Sequence, residues 1–436
     1  MRRRGLGRLM RMSLDAAAPA IEANFVETPL NQAGQPAVFI PDSRPAWVRL
    51  GLALVIGSIG SVGMWSVVVV LPVVQAEFAA SRGATSLAFT FAMIGFGLGG
   101  VAAGRLCDRY GIGLAIAAGI ALLGLGYVGA ALAPNLATFV LLHLAIGAGS
   151  SATFGPLMAE ASHWFERYRG LAVAVAASGN YLGGALWPPL VNWGAQQFGW
   201  RLTHFAIALV CMVAMSAMLV LLQRRLGRHH PLRHQGAPPP RIDLRLPIPA
   251  LTALLCLAAV ACCVAMAMPQ VHIVAYCGDL GYGPARGAEM LSLMLGFGIL
   301  SRIGSGMLAD KIGGIPTLLL GSVAQGIALL LYLMFDGLGS LYLISALFGL
   351  FQGGIVPSYA IIVREAMPAQ EAATRVGMVV LASVLGMSLG GWISGLIFDA
   401  TGSYAAAFLN GMAWNALNIA IMVLLWLRVR PRLARA

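Results

Sequence analysis

The chain has 436 residues, of which 59% are hydrophobic and only 10% charged, and its mean hydropathy is +0.82. A soluble domain of this length needs far more charge to cover its surface, so the composition excludes a water-soluble globule and specifies a polytopic membrane protein. The net charge of +12 comes from 28 Lys and Arg against 16 Asp and Glu. These basic residues gather near the chain ends and in one central interval, an orientation signal rather than a nucleic-acid footprint.

Residues 1–47 open with MRRRGLGRLMRM and read as a cytoplasmic tail without a removable signal peptide. Apolar runs between Pro, Gly and charge then predict about twelve helical spans. The first six are 48–74, 85–106, 112–133, 136–161, 169–194 and 202–222, an N-terminal six-helix bundle over 48–222. The interval 223–248 contains RHHPLRHQGAPPPRIDLRLPIP, cannot bury a core, and reads as a cytoplasmic linker. Its His229, His230 and His234 have no Cys or carboxylate at ligand spacing, so no metal is expected. A C-terminal bundle over 249–427 follows, with spans 249–276, 287–309, 315–335, 339–363, 372–397 and 404–427, then a tail over 428–436. An even count puts both termini on one side, and the arginines make that side the cytoplasm; Arg82, Arg201 and Arg286 then fall outside and Arg302 within a span. The six cysteines show no metal or redox spacing and read as reduced thiols.

The two halves repeat. GGVAAGRLCDRYG at 99–111 lies over SRIGSGMLADKIG at 301–313, so that Gly104, Leu106, Asp108 and Gly111 meet Gly306, Leu308, Asp310 and Gly313, and Arg109 meets Lys311. Gly170, Gly183 and Gly184 meet Gly377, Gly390 and Gly391, and Gly147 with Pro156 resembles Gly349 with Pro357. Structural repeats of this kind build many secondary transporters. The position matching Arg302 in the first half is Gly100, so the shared scaffold does not require that charge.

GRLCDRYG resembles the loop motif of the major facilitator superfamily, and its recurrence at Gly306–Gly313 strengthens the likeness. The resemblance spans nearly all of 48–427 and implies an all-α membrane fold of two pseudo-symmetric six-helix bundles rocking about a central cavity. It also implies that Asp108, Arg109, Asp310 and Lys311 latch the cytoplasmic side. HWFERYRGLAVAVAASGNYLGG at 163–184 and FGWR at 198–201 look like the fourth-to-fifth helix region of monocarboxylate transporters. In that group an eighth-helix arginine, a few residues before G-x-x-x-D, holds the substrate carboxylate; Arg302, Gly306 and Asp310 match this pattern. Oxalate–formate exchangers are close relatives with a similar arginine. Proton-coupled animal members carry an acid four residues before it, where this chain has Gly298. They also carry a first-helix lysine, whereas 48–74 has only Arg49, at its edge. The exchangers' eleventh-helix lysine has no deep counterpart, since Arg375 lies near the start of 372–397, and His143 stands where general members often place an arginine.

Physics alone singles out the same residue. Arg302 precedes Asp310 by eight residues, about 12 Å along a helix. A guanidinium at that depth costs roughly 3 kcal/mol on insertion scales, so it must face a wet cavity or a partner. Glu77 and Glu289 fall near the outer surface and Glu160 and Glu365 near the inner one, leaving Arg302 without a carboxylate at its own depth. A permanent cation so placed is a receptor for a mobile anion, and its planar fork suits one carboxylate. Structural glue, with Arg302 bonded to backbone carbonyls, is the competing reading. Ser150, Ser151, Thr153, Asn180, Tyr181, Gln270, Tyr276, Gln352, Tyr359, Ser383 and Ser388 are polar residues inside spans, each either a pore contact or helix-to-helix glue. His272, and less so His143, are candidate carriers of a coupling proton. GFGLGG at 95–100 and GLGYVG at 124–129 imitate a dinucleotide motif but lie inside apolar spans.

The expectation is a monomeric secondary transporter of a bacterial inner membrane, not an enzyme and without a cofactor. Its cargo is a small organic monocarboxylate, with proton symport favoured by the resemblance. Anion exchange or export of hydrophobic compounds are the alternatives.

Overall fold

A computed structural model describes residues 42–165, 168–224 and 242–431. The predicted tails and most of the 223–248 linker, with its three histidines, lie outside the described residues. Eleven described helices are long and apolar enough to cross a membrane, and a twelfth, Arg169–Phe198, completes the set at 30 residues. The first bundle contains α1 (Arg44–Glu77), α2 (Arg82–Tyr110), α3 (Ile112–Ala131), α4 (Leu136–Ser151 continued by Gly155–Trp164), α5 (Arg169–Phe198) and α6 (Trp200–Gln223). The second contains α7 (Ile248–Asp279), α8 (Pro284–Ile312), α9 (Gly314–Met334), α10 (Leu338–Gln352 continued by Ile355–Ala366), α11 (Ala369–Thr401) and α12 (Tyr404–Arg428). The only described sheet is two residues deep, pairing β1 (Ile242–Asp243) antiparallel with β2 (Arg430–Pro431).

Several helices run past the apolar limits read from the sequence, because a helix continues into the interface until a cap stops it. Gly111 and Gly313 end α2 and α8 with the same φ of +88°, a left-handed conformation that glycine adopts without strain. Two spans break where the sequence reads as continuous. Turns at 152–154 and 353–354 interrupt α4 and α10, and Pro156 and Pro357 follow, each lacking the donor an unbroken helix would use.

The repeat extends to helix packing. A Cβ on Gly147 of α4 would lie 2.7 Å from the carbonyl carbon of Ala92 in α2. One on Gly349 of α10 would lie 2.7 Å from that of Met294 in α8. Both pairs sit at the offset that aligns Gly104 with Gly306. Small residues let helices cross closely in lipid, where no hydrophobic force draws them together.

Candidate functional site at the seam of the two bundles

The bundles meet along two pairs of helices. In the first pair, Gly83 and Ser86 of α2 pack on Gly395, Leu396 and Asp399 of α11. Further along, Thr90 and Ser388 exchange hydrogen bonds to each other's carbonyls at 3.0 and 3.3 Å, and Gly97 approaches Leu381. Toward the end that carries Arg105, Arg109 and Arg375 the pair separates. A Cβ at Gly104 or Gly377 would meet nothing within 4 Å, nor would one at Gly306 on α8. Asp108, Arg109, Asp310 and Lys311 are exposed there and, among the described residues, form no ion pair. The four residues expected to form a latch do not meet in this conformation, whose bundles are in contact at the arginine-poor face and apart at the other.

Arg302 stands where the second pair, α5 and α8, separates. Its guanidinium lies over the Tyr181 ring at 4.3 Å, and Nη1 donates to the Ala177 carbonyl at 3.4 Å. Nε is buried and has no hydrogen-bond partner among the described residues. Gly298, one turn earlier on α8, makes room for this arrangement: a Cβ there would lie 2.5 Å from Tyr181 Cδ1. The absence of a side chain at Gly298 thus leaves the space that the aromatic ring fills.

Among the described residues no carboxylate pairs with Arg302, and each acid weighed for that role is engaged elsewhere. Glu77 accepts from Trp200 and Arg201, and Glu289 from Arg286 and Tyr342. Glu160 binds Arg49, and Glu365 accepts from the Gly314 amide. Two neutral contacts hold the cation and leave its buried Nε–H without a described partner, a geometry suited to a carboxylate arriving through the open end.

The other sequence candidates divide by location. Asn180 lies one residue from Tyr181 and donates to Met64 Sδ at 3.1 Å. Gln270 of α7 donates to Gln352 of α10 at 2.8 Å, leaving Gln270 Oε1 and Gln352 Nε2 buried without partners. Gln352 adjoins Gly353, whose Cβ would abut Ser301, so the amide pair lies against the stretch of α8 that carries Arg302. Ser151 and Thr153 bond carbonyls one turn back, of Ala148 and Ser150, at 2.7 Å each, and both are almost fully buried. Tyr359 is fully buried and donates to Asn418 within the second bundle. His143 is buried against Phe139 and His204 and bonded to the Phe139 carbonyl. His272 joins α7 to Tyr404 and to the Gly391 carbonyl, away from Arg302. The structure therefore brings Tyr181 directly to Arg302 and the amides to its neighbourhood, while Tyr359, His143 and His272 sit in other contacts.

Two features were not foreseen. Trp65 of α1 has a buried Nε1 without a described partner, beside Gly184 and within the same seam; its apolar ring hid it in a hydropathy reading. Arg82, Asp279, Asp399 and Tyr404 come together at the sealed face although they are scattered over the whole sequence. A separate groove of about 570 Å³ between Pro189, Leu293, Phe297 and Leu300 is apolar and does not include Arg302.

Two repeated six-helix bundles, a cation at their seam and a seam closed at one end define a membrane transporter of the alternating-access kind. The chain belongs to the Major Facilitator Superfamily, whose family profile matches residues 53–340 and 290–436. It is accordingly a multi-pass integral membrane protein and not an enzyme. Monocarboxylate transporter 13 of Bos taurus is 26% identical over 323 residues, 73% of this chain and 75% of its own length. Monocarboxylate transporter 11 of Mus musculus is 26% identical over 388 residues, 85% of each chain. The MFS-type transporter opdF of Penicillium oxalicum is 26% identical over 304 residues, 69% of this chain and 70% of its own. Among solved structures, a bacterial homolog of the human lysosomal transporter Spinster, inward-facing and unoccupied, superposes with a TM-score of 0.64 at 14% identity. That match covers 89% of this chain and 96% of the other, and it shows the fold alone. The curated relatives named here come from animals and a fungus, which removes the ground for assigning a bacterial inner membrane.

Proposed function

We propose that this protein carries a small organic monocarboxylate by alternating access, with Arg302 as the carboxylate receptor. One observation carries the reading: a guanidinium inside a span, at the seam of the bundles, held by a ring and one carbonyl, with a free donor and no described counter-ion. A single fixed cation matches a single carboxylate, since a dianion would keep an uncompensated charge in a low dielectric. Tyr181 and Asn180 form one wall of the site, and the buried Gln270–Gln352 pair backs the stretch of α8 that carries Arg302. Two relatives named as monocarboxylate transporters support this class.

The face that carries Arg105, Arg109, Arg375 and Arg428 is the cytoplasmic one by the positive-inside bias, so the conformation described faces inward. Proton symport is the coupling we favour, with a single chain as the working unit and Asp108–Arg109 and Asp310–Lys311 meeting when the inner end closes. Labelled lactate or pyruvate uptake into proteoliposomes, with and without an inward proton gradient, tests both parts. Arg302→Ala should abolish uptake at normal abundance; undiminished uptake refutes the receptor role, and gradient-insensitive uptake in the parent refutes proton coupling. A relative named as an agnestins efflux protein favours the export reading. Efflux of a neutral dye that persists in Arg302→Ala would replace the monocarboxylate reading with that one.

A further inference from the structure

The sealed face is held by one residue of the first bundle that reaches three helices of the second. Arg82, at the start of α2, forms a two-pronged ion pair with Asp279 at the end of α7. The same guanidinium donates to Tyr404 Oη of α12 at 2.8 Å and lies 3.9 Å from the ring centroid of Phe398 in α11. Asp399 of α11 accepts the amides of Arg82 and Gly83 at 2.9 and 2.7 Å, so the N-terminus of α2 is capped by a carboxylate from the opposite bundle. The arginine-rich ends of the same helices have no matching contact among the described residues.

The hydrogen bonds behind this clasp have a fixed direction. His272 Nε2 is 2.8 Å from the Gly391 carbonyl, which can only accept, so Nε2 carries the ring proton. Nδ1, 3.2 Å from Tyr404 Oη, is then the acceptor, and the tyrosine, already accepting from Arg82, donates its proton to it. The chain therefore runs Arg82 to Tyr404 to His272 to Gly391, and a second proton on His272 has no acceptor in it. Adding one turns Nδ1 into a donor facing the tyrosine oxygen and places a cation in a site only 3% exposed.

We infer that His272 is a proton-binding site that opens the outer gate: protonation is incompatible with the closed Arg82–Tyr404 chain and compatible with an opened, hydrated end. Acid at the arginine-poor face therefore shifts the population away from the conformation described. The charged and titratable groups around the clasp are Arg82, Asp279, Asp399, Tyr404 and Tyr276. His272 is the one imidazole among them, so an acid response that His272→Gln removes belongs to it. The inference rests on alternating access alone and not on the identity of the cargo.

Ser86 is 1% exposed beneath Gly395 in the sealed seam, so Ser86→Cys reports opening through its rate of maleimide labelling, read on purified protein against the parent's background. With no cargo present, labelling should rise roughly fivefold from about pH 7.5 to about 5.5, the effect of a one-unit difference in proton affinity between open and closed ends. His272→Gln keeps a donor for Gly391 and an acceptor for Tyr404 but cannot titrate; it should label slowly at both pH values. Arg82→Gln should label fast at both. A parent with no acid response, a His272→Gln variant that keeps it, or an Arg82→Gln variant as protected as the parent would each overturn the inference. A gate that behaves as described while lactate uptake fails would dismiss the proposed cargo and leave the gate standing.

Discussion

Gly298→Ala tests the site through a residue that touches no cargo. Its Cβ would lie 2.5 Å from Tyr181 Cδ1, well inside van der Waals contact, so the ring must swing away. The ring is what lies under the Arg302 guanidinium at 4.3 Å. Losing a largely desolvated cation–π contact costs about 1–2 kcal/mol, and repacking around an added methyl about 1 kcal/mol more. We expect the KM for lactate uptake to rise roughly ten- to thirtyfold, about 1.4–2 kcal/mol, since part of the strain relaxes at the open end. The rate at saturation should change little, because the ring orients the receptor and takes no part in the rocking step. Tyr181→Ala should match this loss, and the double variant should be no worse than Tyr181→Ala alone, a coupling of about 1 kcal/mol or more. An unaltered KM in Gly298→Ala, or losses that simply add in the double variant, would refute the account.

The remaining predictions concern the receptor, the repeat, an ion pair and the open latch. Arg302→Lys keeps the charge but loses the fork and the stacked face, so uptake should survive with affinity lowered about tenfold or more, against complete loss in Arg302→Ala. Gly147→Ala and Gly349→Ala should each sharply reduce folded protein, assayed by size-exclusion recovery, because both press a methyl into a neighbouring backbone carbonyl. Glu160→Gln uncouples the buried Arg49 guanidinium from its carboxylate while the Trp164 ring and the Leu222 carbonyl remain. It should destabilise the first bundle by about 2 kcal/mol in denaturant unfolding, below the roughly 3–5 kcal/mol of a fully buried pair because both side chains keep some exposure. Asp310→Asn should leave thermal stability unchanged, since Asp310 is exposed and has no ion pair among the described residues, yet slow turnover once the inner end must close; a stability loss would show that the aspartate already holds this conformation together.

Much of this protein is legible in its sequence because lipid imposes one-dimensional rules. A span must be apolar for about twenty residues, since unpaired backbone groups cannot be left in hydrocarbon. Hydropathy therefore locates α1–α12 to within a few residues, and the glycine pattern shows that Gly147 and Gly349 occupy equivalent crossings. Arg302 stands out for the same reason: a guanidinium is costly in that solvent, and its position along the helix already sets its depth. The breaks in α4 and α10 were hidden, because the turns at 152–154 and 353–354 lie between apolar neighbours and only the packed helices show where the ladder stops.

What the linear pattern could not contain was which charges meet. Arg82, Asp279, Asp399 and Tyr404 come from four helices of two bundles, and their union depends on how the bundles tilt together. The same holds for Gly298, whose missing side chain signifies nothing until Tyr181 is seen to fill the space. Sequence determined the spans, the repeat and the stranded cation; the tertiary structure decided which face is shut, what shuts it and what lies beneath the arginine. The reason is that burial in lipid acts on each residue separately, whereas a gate or a binding site exists only as distances between residues far apart in the chain.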